Sequence, residues 1–174
     1  QNKTDEDNLL ANALFSDGAA ALLMTSSEHG SKGLSPVVFH NQILNDGGEN
    51  MAWDIGDFGF EMKLSSYVPN LIESGIAGMI DQLKKKMGGS SIQQYAIHPG
   101  GKRILEVIEQ ELNLDKTDNR HAYEVLQNYG NMSSATLIFV LEKLMEEKPK
   151  KGENCLSVAF GPGLTLESMV LEIA

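Results

Sequence analysis

The feature that most constrains this chain is the change of pattern around YAIHPGGK, at residues 95–102. A short apolar run ends at His98, Pro-Gly-Gly follows, and apolar residues then recur at helical spacing over 104–112. Pro99 favours extended geometry before it, and the glycines let the backbone approach a ligand closely. The segment therefore predicts a strand, a tight turn and a helix, with His98 at the strand end where open α/β sheets bind ligands.

Helical periodicity recurs along the chain. Apolar residues spaced three or four apart over 72–87 follow Pro69, which suits the first turn of a helix, and precede a basic last turn with glycines. AYEVLQNYG predicts a short helical piece that ends at its Tyr-Gly. NMSSATLIFVLEKLMEE predicts the strongest helix, and we expect its first half to be buried because it is apolar nearly all round.

Strand patterns lie between and around these helices. PVVFHNQIL and the alternating FEMKL predict strands, and CLSVAF and LTLESMVLEI predict a hairpin joined by GPG. Residues 11–26 hold a turn at Asp17-Gly18 and then small and apolar residues, which predicts a buried strand. Strands alternating with helices and closed by a hairpin predict an α/β layered fold with a mixed β-sheet and packed helices.

The composition narrows the classes of function. The 174 residues are about one domain, and the formal net charge of −10 disfavours general attraction to nucleic acid or to an anionic membrane. One cysteine excludes an internal disulfide and favours a reducing, cytoplasmic setting, and no signal peptide or membrane span is recognisable. The polar start without an initiator methionine indicates a fragment or a trimmed terminus.

Two residues are candidates for chemistry. His98 is either a catalytic group or a packed histidine in a strand-to-helix turn. Asn131 is most simply the N-cap of the following helix, a role that Ser133 or Ser134 could share. Its alternative role is an amide donor that acts with His98 on a developing oxyanion.

Two other features favour structural interpretations. AFGPGLT lacks the length and the lysine of a phosphate-binding loop, so it predicts a tight turn between strands. Cys155 could be assembled with His98 and Asn131 into a triad, but it begins an apolar strand rather than a helix and has no neighbouring bases to lower its pKa. We expect it to be a small buried side chain.

Five segments, in order, carry a resemblance to a known family: ALFSDGAAALL, GFEMKLSSYVP, IHPGGKRILEVIEQEL, VLQNYGNMSSATLIFVLE and AFGPGLTLESMVL. Their order and spacing resemble the carboxyl-terminal part of chalcone synthase-like type III polyketide synthases, over nearly the whole chain. The resemblance implies that residues 1–174 are a C-terminal domain of the chalcone/stilbene synthase type, with the last strand of the preceding half near residues 11–26.

The resemblance also implies a fold and an activity. The family has the thiolase fold, in which two similar α/β halves pack as layers and two subunits form a homodimer. It condenses an acyl-CoA starter with malonyl-CoA by decarboxylative Claisen condensation, so coenzyme A thioesters are the substrates and no further cofactor is expected. The nucleophilic cysteine belongs to the amino-terminal half, so we expect the fragment alone to be inactive.

By motif, His98 and Asn131 match the family's catalytic histidine and asparagine. Two departures stand out: Ala159 replaces the first glycine of the family's GFGPG loop, and Met62 stands where the plant enzymes carry a phenylalanine gatekeeper. The implied cavity residues are Met62, Ser133, Ala159, Phe160, Gly161, Pro162 and Gly163, and the implied CoA-binding residues are Gly100, Gly101 and Lys102.

Other interpretations remain open from the sequence. A ketoacyl synthase or a hydroxymethylglutaryl-CoA synthase shares the thiolase fold, although GNMSS followed by GPGLT fits the polyketide group better. A non-catalytic thiolase-fold dimerisation module is the alternative outside enzymes. No metal site is predicted, because the remaining histidines lack ligand spacing with cysteines or paired acids.

Overall fold

The computed structural model describes residues 6–26, 32–57 and 59–174. The helices are α1 (Glu6–Leu14), α2 (Val68–Lys86), α3 (Lys102–Leu112), α4 (Arg120–Tyr129) and α5 (Ser134–Glu146). The strands are β1 (Leu34–Ile43), β2 (Met51–Gly56), β3 (Gly59–Leu64), β4 (Gln94–Ile97), β5 (Asn154–Gly161) and β6 (Thr165–Ile173), with a short 3-10 turn at Asn45–Gly47. None of the helices described is long and apolar enough to cross a bilayer.

The main sheet has the strand order β1-β6-β5-β4. β4 pairs with β5 in parallel, whereas β6 is antiparallel to both of its neighbours. β2 and β3 form a separate antiparallel hairpin. The predicted mixed sheet and the predicted β5–β6 hairpin are confirmed.

The core lies between this sheet and its helices. On α2, the side chains of Ile72, Ile76, Met79 and Leu83 have no exposed surface, which confirms the helical stripe predicted from their spacing. α2 packs against β1, β6 and α3, while α4 and α5 pack together and reach the sheet at β4. The carboxyl end of β4 is thereby enclosed on several sides.

The prediction of a buried strand over residues 11–26 is wrong. Helix α1 continues to Leu14, and residues 16–26, which the structure describes, form no strand. Leu23 is 90% exposed and Met24 is 85% exposed. A strand requires a neighbouring strand to pair its backbone groups, and the described main sheet offers these residues none. That residues 11–26 belong to the preceding half of the intact protein stays a prediction.

Helix α5 is only partly as predicted. Val140 and Leu141 are buried, but Leu137, Ile138 and Phe139 in the first half are only half-buried. The expectation that this half is wholly buried is therefore wrong. α4 and the sheet cover part of the helix circumference, and the described residues leave the remainder partly open.

The glycine-rich turn between β5 and β6 supports the β2–β3 hairpin. The Leu44 N–H donates to the Leu164 carbonyl at 2.9 Å, and the Gly163 N–H donates to the Met51 carbonyl at 3.1 Å. A Cβ at Gly47 would lie 2.2 Å from the Leu164 nitrogen, so only glycine permits this close approach. The hairpin is thus held at the end of the sheet where β5 turns into β6.

Truncation of Ile72 tests the core. Because the side chain is fully buried between α2 and its neighbours, we expect Ile72→Ala to lower the free energy of unfolding by about 2–5 kcal/mol. The control is Gln82→Ala on the exposed face of α2, with an expected change within about 0.5 kcal/mol. Urea unfolding measures both, and equal effects would contradict the packing described.

Candidate active site

A cavity of about 90 Å³ opens where six segments of the chain meet. They are the end of α1, the β2–β3 hairpin, the start of α2, the β4–α3 turn with the first turn of α3, the loop before α5, and the end of β5 with the β5–β6 turn. Of the residues predicted from the sequence, those that line it are His98, Gly100, Asn131, Ser133, Met62, Phe160 and Pro162.

The β4–α3 turn places His98. The His98 N–H donates to the Val158 carbonyl at 2.8 Å, which extends the parallel pairing one residue beyond β4. The Gly100 N–H then donates to the His98 carbonyl at 2.9 Å and reverses the chain before α3. The predicted strand, turn and helix are confirmed, with the imidazole at the carboxyl end of the strand.

The Asn131 side chain joins two of these segments. Its Nδ2 donates to the Gly100 carbonyl at 3.2 Å, and its Oδ1 accepts the Ser133 N–H at 2.9 Å. The simpler interpretation of Asn131 as the N-cap of α5 is wrong, because Ser133 occupies the N-cap position. The Ser133 side chain itself makes no capping hydrogen bond. With Oδ1 engaged, the amide nitrogen is held toward the β4–α3 turn.

The chain after α1 fixes the backbone of Asn131. The Asn131 N–H donates to the Leu14 carbonyl at 3.2 Å, and its carbonyl accepts the Ser16 N–H at 2.9 Å. A Cβ at Gly130, where φ is +74°, would lie 2.9 Å from the Ser16 hydroxyl oxygen. The glycine of YGNM is therefore required both by its dihedral angle and by the close approach.

Burial sets the charge of His98. The residue is 8% exposed, and removal from water lowers the pKa of its imidazole to about 4. The ring is therefore neutral at pH 7 and carries one N–H donor. A neutral imidazole and a fixed amide on one cavity can donate hydrogen bonds to an oxygen that gains negative charge.

The remaining predicted residues lie outside the cavity lining. The Lys102 side chain is 72% exposed, with Nζ 3.6 Å from Glu106 Oε1, and Gly101 is the residue before α3. Ala159 points to the opposite face of β5 from Phe160, since neighbouring side chains alternate along a strand. Gly161 is the last residue of β5, and Gly163 belongs to the turn that supports the hairpin. Their predicted roles toward substrate and CoA stay predictions.

Several lining residues were missed by sequence reasoning. Met51, Trp53 and Leu64 reach the cavity from the hairpin, where Met51 pairs with Leu64 and Trp53 pairs with Met62. Alternation of apolar and other residues in MAWDIG could have revealed strand β2. Phe15 had no comparable signal, because only the tertiary fold brings the end of α1 beside Asn131.

Cys155 has no part in this cavity. Its side chain is fully buried at the start of β5, and burial raises the pKa of the thiol to about 12. It is absent from the lining that holds His98 and Asn131. The expectation of a small buried side chain is confirmed.

The chain is an α/β domain with a mixed parallel and antiparallel sheet. A buried histidine and an asparagine held by hydrogen bonds line one cavity, which is a candidate oxyanion-binding site. The family described as chalcone and stilbene synthases, C-terminal domain, matches residues 37–174. The chain belongs to this family, as its ordered motifs predict.

Similar proteins agree with this assignment. The chain is 33% identical to the alpha-pyrone synthesis polyketide synthase-like Pks18 of Mycobacterium tuberculosis, over 97% of this chain and 45% of that protein. It is 26% identical to 1,3,6,8-tetrahydroxynaphthalene synthase of Streptomyces coelicolor A3(2), with a TM-score of 0.86 over 99% of this chain and 49% of that one. The chain thus spans about half the length of these relatives.

A third similar structure comes from a hybrid protein. It is the C-terminal type III polyketide synthase domain of Steely1, a type I/III hybrid from Dictyostelium, 28% identical, with a TM-score of 0.84 over 99% of this chain and 50% of that chain. The predicted thiolase-like α/β class, as found in type III polyketide synthases, is confirmed by these structures.

The lowered pKa of His98 predicts a dependence of stability on pH. The folded pKa of about 4 lies below the ordinary value of 6.5, so the unfolded chain binds more protons between these values and stability falls as the pH drops through them. The free energy of unfolding should fall between pH 7 and pH 4.5 in both proteins. We expect the fall to be about 2 kcal/mol smaller in His98→Gln than in the unsubstituted chain.

Urea unfolding at the two pH values measures this difference. Burial is also the main cause that lowers the pKa of His121. Because His121 is present in both proteins, the comparison isolates the effect of His98. Identical pH dependence in the two proteins would contradict the burial of the His98 ring.

The buried thiol predicts chemical inertness. Because the Cys155 side chain is fully buried and its pKa is raised to about 12, we expect no reaction of the folded chain with a thiol reagent at pH 8 over hours. In urea the same chain should react fully, and Cys155→Ala provides the blank. Rapid labelling of the folded chain would show that the sulfur is accessible.

Proposed function

We propose that the intact protein containing this domain is a type III polyketide synthase, an acyltransferase that joins an acyl-CoA starter to malonyl-CoA by decarboxylative Claisen condensation. The observation that carries the proposal is the pairing of two uncharged donors, His98 and Asn131, on one cavity. Membership of the chalcone and stilbene synthase family supports it.

The first step is the decarboxylation of malonyl-CoA. The bond between the α-carbon and the carboxylate breaks, carbon dioxide leaves, and the electron pair moves into the thioester as an enolate. His98 and Asn131 donate hydrogen bonds to the thioester oxygen as its charge grows. A neutral imidazole suits this role because it needs no counter-ion in the buried cavity.

The second step forms the carbon-carbon bond. The enolate carbon attacks the carbonyl of an acyl group held as a thioester on a cysteine, and the cysteine leaves as a thiolate. Cys155 is buried with a raised pKa and does not line the cavity, so it is unsuited to hold that acyl group. The nucleophile therefore comes from another part of the intact protein, and this chain alone is inactive.

The β4–α3 turn is the proposed entry for coenzyme A. Gly100 lines the cavity and Gly101 follows it, so backbone without side chains borders the path proposed for a pantetheine arm. Lys102 is exposed at the start of α3, where a cation can meet an anionic cofactor. No cofactor beyond the CoA thioesters is required by these two steps.

The exposed apolar surface supports a partner for this domain. Phe39 and Ile43 on β1 are 62% and 67% exposed, and Leu22 and Leu23 after α1 are 66% and 90% exposed. Exposed apolar residues of this size are typical of interaction surfaces. We propose that the amino-terminal half of the intact protein covers them, and that the intact protein is a cytoplasmic homodimer.

The test uses the full-length protein with malonyl-CoA labelled in its free carboxyl group. We expect His98→Ala to lower release of labelled carbon dioxide by about 100-fold or more, because one oxyanion donor is lost. The matched control is His40→Gln on β1, whose ring contacts Lys86 outside the cavity and whose activity should be unchanged.

Two outcomes would contradict the proposal. Full-rate decarboxylation by His98→Ala would remove the histidine from the mechanism. Preference of the full-length protein for malonyl-carrier protein over malonyl-CoA would point instead to a ketoacyl synthase.

A further inference from the structure

The two donors of the site lie at the ends of two consecutive helices. His98 and Gly100 precede α3, and Asn131 follows α4, which ends at Tyr129. α3 begins at the cavity and α4 returns to it, so residues 113–119 connect the helices at the far end. At the near end the bond from Asn131 Nδ2 to the Gly100 carbonyl, at 3.2 Å, closes the pair. The spacing of α3 and α4 therefore sets the position of one donor relative to the other.

A buried glutamate links these helices away from the cavity. Glu109 lies in the second half of α3 and is 7% exposed. Its Oε1 accepts from Asn119 Nδ2 at 3.2 Å, and its Oε2 accepts from the Tyr123 hydroxyl at 3.0 Å. Asn119 is the residue before α4, and Tyr123 lies in the first turn of α4. One carboxyl group thus joins α3 to α4 through two side chains.

The partners of Glu109 are uncharged, which is unusual for a buried glutamate. Buried acidic side chains are normally paired with a cation, but no ion pair to Glu109 occurs in the described part of the chain. Lys116 instead lies over the Tyr123 ring, with Nζ 5.6 Å from the ring centre. Burial and then the hydrogen bond to Glu109 raise the pKa of Tyr123, so the phenol stays protonated and donates.

The link matters for the site because the two helices have different neighbours. α3 packs mainly against α2, whereas α4 packs mainly against α5. About 10 Å of helix separates Glu109 from Lys102, the first residue of α3, so a change of spacing at Glu109 is carried to the cavity by a rigid element. The Asn131 bond to Gly100, at 3.2 Å, is already at the long end of the normal range. Little further separation would break it.

We propose that Glu109 is a positioning residue for the condensation: by joining α3 to α4 it keeps Asn131 within hydrogen-bonding distance of the β4–α3 turn that carries His98. The inference rests on the proposed function. Glu109 does not line the cavity, so it acts through Asn131 and not on the substrate.

The experiment removes the link and then restores it. Full-length protein, with its fold confirmed by circular dichroism, is assayed for release of carbon dioxide from malonyl-CoA labelled in its free carboxyl group. Glu109→Leu removes both acceptors, and we expect kcat to fall about 10-fold or more while KM stays within about threefold, because a donor is misplaced. Glu109→Gln can accept from Asn119 and donate to the Tyr123 oxygen, so its kcat should stay within about threefold of the unsubstituted protein.

The control separates positioning from a general loss of stability. Ile80 is buried on α2 and does not line the cavity, and Ile80→Val removes one methylene from the core. We expect its kcat to be unchanged. The inference would be overturned by an unchanged kcat in Glu109→Leu, by equal losses in the Leu and Gln variants, or by an equal loss in Ile80→Val.

A milder substitution tests the same link if Glu109→Leu folds poorly. Tyr123→Phe removes one hydroxyl from a half-buried side chain, and we expect kcat to fall about threefold or more. In an Asn131→Ala background the same change should cause no further loss, because no amide remains to be positioned. No loss in Tyr123→Phe alone, or equal fold-losses in both backgrounds, would show that the link does not act through Asn131 and would overturn the inference.

The two proposals fail in different ways. If folded full-length protein without substitutions releases no labelled carbon dioxide, the proposed function is wrong and the role of Glu109 falls with it. If that protein releases carbon dioxide and folded Glu109→Leu releases it at the same rate, the function stands and only the role of Glu109 is wrong.

Discussion

The geometry of the site depends on the hydrogen bonds of Asn131. Its backbone pairs with the chain after α1, its amide nitrogen bonds the β4–α3 turn, and its amide oxygen accepts from the loop that enters α5. One buried residue therefore connects three segments that are remote in sequence. Rotation of the amide would leave the buried Gly100 carbonyl unpaired, at about 1–3 kcal/mol, so the orientation of the amide is determined before any ligand arrives.

Burial acts on the two most reactive residue types in opposite ways. It lowers the pKa of His98 and raises that of Cys155, and in both cases it favours the uncharged form. For His98, which borders the cavity, the neutral ring is useful as a donor. For Cys155, which lies inside the sheet, the neutral thiol is merely a packed side chain. Position relative to the cavity, rather than residue type, separates the two.

The cavity has a polar side, formed by the side chains of His98, Asn131 and Ser133, and an apolar side, formed largely by the β2–β3 hairpin. The polar side arises where strand β4 ends and where α5 begins, so it depends on turns. The apolar side arises from strand alternation in the β2–β3 hairpin, which the β5–β6 turn holds in place through Leu164 and Gly163. A substitution in that turn can therefore change the cavity without touching its lining.

Sequence reasoning succeeded where a pattern is local. The β4 strand, the His98 turn and α3 follow from a change of period and from Pro-Gly-Gly, and α2 follows from its spaced apolar residues. It failed for residues 11–26, because small apolar residues favour a strand only when a partner strand is present. It also missed Phe15, which reaches the cavity through a contact between positions 15 and 131.

The sequence by itself determined the family, the mixed α/β class and the candidate pair His98 and Asn131, because each rests on motifs and periodicities within short segments. The tertiary structure decided that Asn131 is a cross-link rather than a helix cap, that His98 is neutral and that the hairpin closes the cavity with apolar side chains. These properties arise from burial and from contacts between distant segments, which no local pattern contains.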